Sequence, residues 1–124
     1  MAAPNLVNPG SIVGKTTYLT LADTSETALL TNSADSSKAM RVTNLMAVNV
    51  DGTNSVDVTA KIYNDDVAGT GYPIASTINV PADSAIVILS RDNHVWLEED
   101  RRITVQASAS GDLSFICSYE EVSA

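Results

Sequence analysis

The amino-acid sequence predicts an all-β protein, an antiparallel β-sandwich of the jelly-roll or immunoglobulin-like kind with an extended N-terminal arm. After residue 15 the chain is rich in Val, Ile and Thr, and apolar residues alternate with polar ones, which is typical of strands that bury one face. Gly, Asn, Asp and Pro separate these runs at intervals of about 8 to 12 residues, a spacing typical of sandwiches and barrels. At 124 residues, the chain has room for one such domain.

The alternation is clearest in residues 56–63, 101–109 and 113–119, and each of these segments is predicted to be a strand with one buried face. Six further segments have the composition of strands: residues 15–21, 26–30, 40–50, 74–80, 85–91 and 95–98. The pairs Asp51-Gly52 and Gly111-Asp112 are expected to supply the positive φ angles of tight hairpin turns.

The start of the chain differs in composition from the rest. It contains Pro4, Asn8, Pro9 and Gly10, and proline disfavours both a helix and a central strand. We therefore expect two units: an extended N-terminal arm, residues 1–14, and a sandwich domain, residues 15–124. Residues 1–10 lack the basic and apolar regions of a signal peptide, so synthesis in a cytoplasm is expected.

One predicted strand breaks the alternation, because five consecutive residues are apolar: Ala85, Ile86, Val87, Ile88 and Leu89. A sandwich strand normally exposes its outer face to water, so the second face of this segment should be covered by the N-terminal arm or by another protein chain. Residues 40–50 show a weaker form of the same pattern, and four residues are expected to share one face: Val42, Met46, Val48 and Val50.

Charge makes several classes of partner improbable. The chain has 15 acidic and 7 basic residues and a net charge of -8. We therefore expect it to bind neither nucleic acid, through phosphate neutralisation, nor an anionic membrane surface. Its longest apolar run, residues 85–89, is far shorter than the roughly 20 residues of a membrane-spanning helix.

Neither an enzyme activity nor a cofactor site is predicted. The segment GSIVGKT at residues 10–16 resembles a phosphate-binding loop, but it is one residue too short and is followed by a strand-like segment instead of a helix. General acid-base or nucleophilic catalysis usually needs a base beside a nucleophile, and the single histidine, His94, lies in a polar turn. The single cysteine, Cys117, is expected to be a core residue.

Metal binding is not predicted from the ligand spacing. His94 and Cys117 are too few and too far apart for a zinc site. Three acidic clusters occur, at residues 65–66, 98–100 and 120–121, and none has the spacing of a calcium-binding loop. They are expected to be solvated, with an ion bound between subunits as the alternative.

The candidate functional residues are those suited to contact another protein. Trp96 alternates with Val95 and Leu97, so it is either a core residue or an interface anchor. Arg101 is expected at the rim of an apolar face, where it could pair with a carboxylate of another chain. The full set of expected interface residues is Leu6, Val7, Ile12, Val13, Ala85, Val87, Leu89, Trp96 and Arg101.

Six short motifs are distinctive in their residues and in their order along the chain: VTNL at residues 42–45, VNVDGTN at 48–54, IAST at 74–77, VPADS at 80–84, VWLEE at 95–99 and SYEE at 118–121. Together they resemble small virion structural proteins of tailed phages, especially those of marine and cyanobacterial hosts. The likeness covers residues 26–122 and includes no catalytic signature. It implies a β-sandwich capsid decoration or cement protein, commonly a trimer on the outer shell where capsomers meet.

The expected function is therefore that of a structural virion protein, which binds the outer capsid surface and bridges neighbouring capsid subunits. Its expected partners are the major capsid protein and, in a homotrimer, further copies of itself. The alternatives are a neck, tail or fibre component of the particle, or a glycan-binding surface module. Aromatic residues, which glycan-binding surfaces favour, make up only 5% of the chain.

Overall fold

The structure is a computed structural model that describes residues 3–124. Nine strands cross this part of the chain: β1 (Ser11–Thr20), β2 (Thr27–Asn32), β3 (Lys38–Asn49), β4 (Val56–Tyr63), β5 (Gly71–Val80), β6 (Ala85–Leu89), β7 (Val95–Leu97), β8 (Arg101–Ala107) and β9 (Leu113–Ser123). Each predicted strand overlaps one of them, and the predicted bounds of β4 are those observed. Residues 3–124 contain no helix, so none of the described segments could span a membrane as a helix.

The strands form two packed antiparallel sheets, which confirms the predicted β-sandwich. The front sheet has the order β1-β9-β3-β6, with β7 also paired to β3, and the back sheet has the order β2-β8-β4-β5. Because β6 and β7 pair with two separate stretches of β3, they are two parts of one edge strand that residues 90–94 interrupt. The face of the front sheet that points away from the back sheet is called the outer face below.

The connections decide between the two predicted kinds of sandwich. With β6 and β7 counted as one strand, the described chain changes sheet at every connection except that from β4 to β5. The pairs are therefore nested: β1 with β9, β2 with β8, β3 with β6 and β7, and β4 with β5. An immunoglobulin-like sandwich keeps more consecutive strands within one sheet, so this fold is a jelly roll.

The core lies between the sheets and is built from alternate residues of their strands. Its buried side chains include those predicted from the alternation: Val56, Val58, Ala60, Ile103, Val105, Ala107, Leu113, Phe115 and Cys117. Burying a large apolar side chain of this kind stabilises a fold by roughly 1.5–3 kcal/mol. The sheets therefore hold together through packing, with no disulfide within the chain, since Cys117 is its single cysteine.

A β-bulge in β3 changes which residues face the core. Thr43 has no partner in β9, whereas its neighbours Val42 and Asn44 pair with consecutive residues of that strand. The extra residue reverses the alternation, so Val42 and Leu45 are both fully buried. The prediction that Val42 shares a face with Met46 is therefore wrong, because strict alternation allows for no bulge.

A second bulge lies in β6, at Ile88. Val87 and Leu89 pair with consecutive residues of β3, and Ile88 is the extra residue between them. Leu89 consequently turns into the core, where it is 2% exposed, whereas Val87 points outward. Contrary to the prediction, Leu89 is therefore not available to contact another chain.

The two predicted hairpin turns are both connections between sheets. Gly111 has the expected positive φ, 76°, but Gly52 does not. The loop at Gly52 is instead shaped by the Asp51 carboxylate, which accepts hydrogen bonds from the amides of Thr53 at 2.8 Å and Asn54 at 3.1 Å. The hairpin prediction is wrong because a turn signal does not tell whether the next strand lies in the same sheet.

The N-terminal segment is shorter than expected, because β1 begins at Ser11 and residues 11–14 pair with β9. Residues 1–2 of the predicted arm lie outside the described residues, and residues 3–10 form no strand. The Gly10 amide donates a hydrogen bond of 2.8 Å to the Ser123 carbonyl. A Cβ at Gly10 would collide with the Ala124 carbonyl, so glycine permits this close approach to the C-terminal residues.

Candidate interaction surface

An apolar row crosses the outer face of the front sheet from edge to edge. The register places Tyr18 of β1 beside Ile116 of β9. Met46 of β3 lies on the other side of Ile116, and Val87 of β6 lies beside Met46. We call these four residues the apolar band. Tyr18 is 73% exposed and Val87 is 59% exposed, while the two central residues are half-buried.

Short uncharged side chains flank the apolar band. On one side the hydroxyls of Thr16 and Ser118 form a hydrogen bond of 3.1 Å, and on the other those of Thr20 and Ser114 form one of 2.9 Å. The band and these flanking pairs contain no charged residue. Since interface cores are depleted in charge and the whole chain is strongly acidic, this region is well suited to contact another protein.

The chain itself covers the far end of the outer face. Ala39 of β3 and Val122 of β9 pair with each other and are buried, although they point away from the core. Pro4 is buried as well. A groove of about 210 Å³ beside them is lined by Ala3, Pro4, Leu6, Ala39, Trp96 and Glu98. The N-terminal segment thus folds back over this end of the outer face, whereas the outward face of residues 85–89, for which a cover was expected, stays exposed at Val87.

Six of the predicted interface residues are exposed: Leu6, Val7, Ile12, Val13, Ala85 and Val87. They do not form one patch, because β1 and β6 are opposite edges of the front sheet. Val87 belongs to the apolar band. An interface role stays a prediction for all six.

Trp96 lies on the outer face of the front sheet. Its neighbour Leu97 is fully buried in the core, and Trp96 pairs across the sheet with Arg41. The groove that it lines is shared with Pro4 and Leu6 of the N-terminal segment. Trp96 is half-buried, and the residues beside it in this groove belong to its own chain.

Arg101, which was expected to pair with a carboxylate of another chain, lies beside a carboxylate of its own chain. Its Nη2 lies 3.6 Å from Oε2 of Glu98, and its Nη1 donates a hydrogen bond of 3.1 Å to the carbonyl of Asn64. The guanidinium therefore ties the segment before β8 to the loop after β4. Its predicted contact with another chain stays untested.

One end of the core is closed by a carboxylate between two lysines. The side chain of Glu121 is 9% exposed, and its Oε1 lies 3.1 Å from Nζ of both Lys15 and Lys38. Burial raises the pKa of Glu121, but hydrogen bonds from Lys38 and Lys15 and their positive charges outweigh it. The net pKa of this carboxyl is therefore lowered.

This cluster predicts a loss of stability in acid. A carboxyl with a lowered folded-state pKa stabilises the fold above its unfolded pKa of about 4.3, and that contribution is lost as the pH falls through the folded value. Glu121→Gln should cost about 1 kcal/mol at neutral pH, because both lysines are 38–43% exposed and water screens them. Between about pH 5 and pH 3 the variant should depend less on pH than the unaltered protein.

Urea unfolding at a series of pH values measures this effect. Glu120→Gln is the matched control, since Glu120 is the neighbouring residue on the opposite face of β9. It removes the same charge but leaves the contacts of Glu121 with Lys15 and Lys38 in place. If Glu121→Gln and Glu120→Gln showed the same dependence of stability on pH, the stabilising role of the cluster would be contradicted.

Three carboxylates from two separate parts of the sequence meet beside the back sheet. Side-chain oxygens of Asp65, Asp66 and Asp100 lie within 4.8 Å of one another. A hydrogen bond with the Asp66 side chain raises the pKa of Asp100, and the Asp66 amide opposes this shift. Arg102 donates a hydrogen bond of 2.9 Å to the Asp65 carbonyl. The arrangement joins two acidic clusters that the sequence shows separately, but surface carboxylates alone do not define a cation site.

The residues considered for catalysis lie in three different structural settings. The segment that resembles a phosphate-binding loop runs into β1, and the described residues after it include no helix that could bind a phosphate. His94 is exposed, with its Nδ1 3.0 Å from the Arg91 carbonyl. Cys117 is fully buried, and burial raises the pKa of its thiol to about 12. The thiol is therefore protonated and shielded at neutral pH.

The chain matches no family model and no curated protein. Among solved structures, it is similar to a chain of the Bacillus endospore appendages, which form a family of disulfide-linked pili. The TM-score is 0.52 and the identity 17%, over 98% of both chains. This likeness shows a shared fold. The appendages are disulfide-linked, whereas the single cysteine of this chain is buried.

Viral capsid structures give weaker matches. A chain from the capsid of Helicobacter pylori bacteriophage KHP30 has a TM-score of 0.49 and 6% identity, over 93% of this chain and 90% of that chain. A chain from the subviral particle of infectious bursal disease virus has a TM-score of 0.46 and 14% identity, and the match covers 93% of this chain but only 33% of that one. These neighbours are capsid proteins, and the likeness is too loose to bear on function.

One buried asparagine contributes to the structure but was not predicted from the sequence. Asn49 is fully buried at the end of β3, and its Nδ2 donates hydrogen bonds to the carbonyls of Asn54 at 2.9 Å and Val80 at 3.0 Å. Its Oδ1 accepts one of 2.9 Å from the Asp51 amide. Asn32 plays a similar part at the end of β2, donating to two carbonyls: Lys38 and Leu97. The signal was an asparagine at a strand end where the alternation calls for a core residue.

Proposed function

We propose that this chain is a structural protein of a virion and that it binds another protein through the apolar band. The observation that carries the proposal is the uncharged apolar row across the outer face, on a chain with a net charge of -8. Protein interfaces depend on a few apolar or aromatic anchors, among which tyrosine is enriched. Tyr18 and Val87, as the exposed members of the band, are the expected anchors.

In its finer form, the proposal is a capsid decoration or cement protein of a tailed phage of the marine or cyanobacterial type. It binds the major capsid protein on the outer capsid surface and bridges neighbouring capsid subunits. The sequence resemblance over residues 26–122 supports this role, and the acidic charge supports an exterior position, because packaged DNA repels an acidic protein. Assembly as a homotrimer and synthesis in the host cytoplasm belong to the same proposal.

The jelly-roll fold is compatible with a role in a virion, but it is equally compatible with other functions. Jelly rolls occur in viral capsid proteins, lectins and cupins, so the architecture supports a capsid-associated role no more than a glycan-binding one. What favours a protein partner over a glycan is the composition of the band, which offers one tyrosine among aliphatic side chains.

Replacing both Tyr18 and Val87 with serine should reduce the occupancy of the protein on particles. Removing two anchors from the centre of an interface should weaken binding by roughly tenfold or more. Quantitative mass spectrometry of particles assembled with each variant measures the occupancy. The same measurement gives the copy number, which separates a shell protein, present on the order of hundreds of times, from a single ring of a neck or tail.

Tyr72→Ser is the matched control, because Tyr72 is 56% exposed but lies on β5 at the edge of the back sheet. This variant should keep full occupancy. Thermal unfolding followed by circular dichroism checks that every variant is folded. Equal occupancy for the double variant and the control would reject the apolar band as the binding surface.

A further inference from the structure

Three of the four sheet edges in residues 3–124 are protected against pairing with another strand. β2 has six residues and a register shift between Ala28 and Leu30. β5 contains Pro73, and its pairing with β4 shifts register twice. The edge made of β6 and β7 is short and interrupted. Short, bulged or proline-containing edges are the usual means by which sheets avoid further pairing.

β1 has none of these protections. Its ten residues, Ser11–Thr20, pair with β9 without a register shift, and the strand contains neither proline nor an acidic residue. Its single charged residue is Lys15, whose ammonium group lies 3.1 Å from the Glu121 carboxylate and is thus held within the chain. The side chains of residues 11–16 are exposed. A long, regular edge of this kind is a template for another strand.

The hydrogen-bond ladder identifies the backbone groups that point away from the sheet. Leu21, which follows β1 in the same register, donates its amide to the Leu113 carbonyl at 3.1 Å. In an antiparallel pair, residues that bond to one neighbour alternate with residues that point to the other side. The even-numbered residues therefore direct their amides and carbonyls outward: Ile12, Gly14, Thr16, Tyr18 and Thr20.

We propose that β1 of one copy pairs antiparallel with β1 of a second copy, across a twofold axis at Thr16. A pairing centred on Lys15 would place the two lysines opposite each other, and directly opposed like charges destabilise a sheet. A pairing centred on Thr17 would shorten the overlap. The pairing centred on Thr16 joins residues 12–20 of both strands and places Lys15 opposite Thr17 of the second copy.

The side chains of β1 complement one another in this register. Tyr18 lies opposite Gly14 of the second copy, and the space where a Cβ of Gly14 would lie is unoccupied, with no atom within 4 Å. An aromatic ring across from an edge glycine covers the gap that the missing side chain leaves. On the other face Val13 lies opposite Leu19, an apolar pair. No carboxylate faces another carboxylate within the paired segment.

This pairing would join two front sheets into one continuous sheet. A twofold axis perpendicular to the sheet keeps both outer faces on the same side, so both apolar bands would face the same partner surface. Two attachment points on one unit raise the effective affinity without any new contact. The pairing itself does not depend on the proposed function, since purified protein suffices to test it.

Native mass spectrometry and sedimentation equilibrium of the purified chain at micromolar concentration test the proposal. The chain should form assemblies with an even number of copies: two, or six if a trimer also forms. Thr16→Pro removes an outward amide but no backbone hydrogen bond to β9, so it should abolish the pairing; the side-chain hydrogen bond to Ser118 is lost equally in the control that follows. Thr16→Val, which keeps the amide, should not. An unaltered protein with a mass of one or three chains would overturn the proposal.

A charge exchange at the twofold axis tests the register even if the proline variant does not fold. Thr16→Lys and Thr16→Glu should each weaken pairing by about threefold or more, because each brings like charges together. An equimolar mixture of the two variants should restore pairing as a mixed assembly. If the mixture paired no better than either variant alone, pairing at Thr16 would be excluded. The occupancy of particles tests the proposed function separately.

Discussion

Deletion of Thr43 is expected to leave the protein folded, with the same residues of β3 in its core. Val42 and Leu45 are three positions apart, and the bulge at Thr43 allows both to point into the core. Without the extra residue they would be two positions apart, so regular alternation would still bury both side chains. The deletion should therefore cost far less than the roughly 3–6 kcal/mol that exposing two large apolar side chains would cost.

Thr43→Ala is the control for this deletion, because it keeps the number of residues in β3. It removes a hydrogen bond of 3.3 Å from the Thr43 hydroxyl to the Ser118 carbonyl, which should cost about 0.5–1.5 kcal/mol. Urea unfolding followed by circular dichroism gives the free energy of both variants. The deletion variant should be about as stable as Thr43→Ala, and a deletion variant several kcal/mol less stable would show that the extra residue is needed for Val42 and Leu45 to be buried together.

Asn49→Asp should be the most damaging isosteric substitution. The new carboxylate oxygen would take the place of Nδ2, 3.0 Å from the Val80 carbonyl, where a donor is required. An acceptor would then face an acceptor in a fully buried position, and a buried charge without a partner destabilises a fold by about 3–5 kcal/mol. Because protonation would remove the charge and restore one donor, the penalty should shrink as the pH is lowered.

Asn93→Asp is the matched control, since it adds the same charge at an exposed position in the turn between β6 and β7. Its free energy of unfolding should stay within about 0.5 kcal/mol of the unaltered protein. Urea unfolding at neutral and acidic pH compares the two variants. Equal stability at neutral pH would mean that the hydrogen bonds of Asn49 contribute little to holding the loop after β3 against the strand β5.

The apolar band and the free edge of β1 meet at Tyr18, which belongs to both. A variant at Tyr18 would therefore affect both proposals, whereas Val87 belongs to the band alone and Thr16 to the edge pairing. Separate substitutions at Val87 and Thr16 distinguish binding of a partner surface from pairing between copies. The prediction from sequence that Val87 lies at an interface is compatible with the first of these, and it stays a prediction until occupancy is measured.

Local residue pattern was sufficient to predict the strands of this protein and most of its core. Period-two alternation identifies Val56, Val58 and Ala60 as buried because side chains of a strand point to opposite faces in turn. The same reasoning required a cover for the second face of residues 85–89, since water disfavours a sheet with two apolar sides, but Val87 stays exposed in the described chain. The N-terminal segment packs instead over the other end of the outer face, near Ala39 and Trp96.

Tertiary structure alone decided which strands are neighbours, and the apolar band depends on that. Tyr18 and Val87 are 69 positions apart (87 minus 18), and they align only because β9 and β3 lie between β1 and β6 in register. The bulges at Thr43 and Ile88 reverse the alternation through pairing with other strands, so they leave no mark in the local pattern. Sequence periodicity thus determines which way a side chain points from its own strand, while long-range pairing determines what lies beside it.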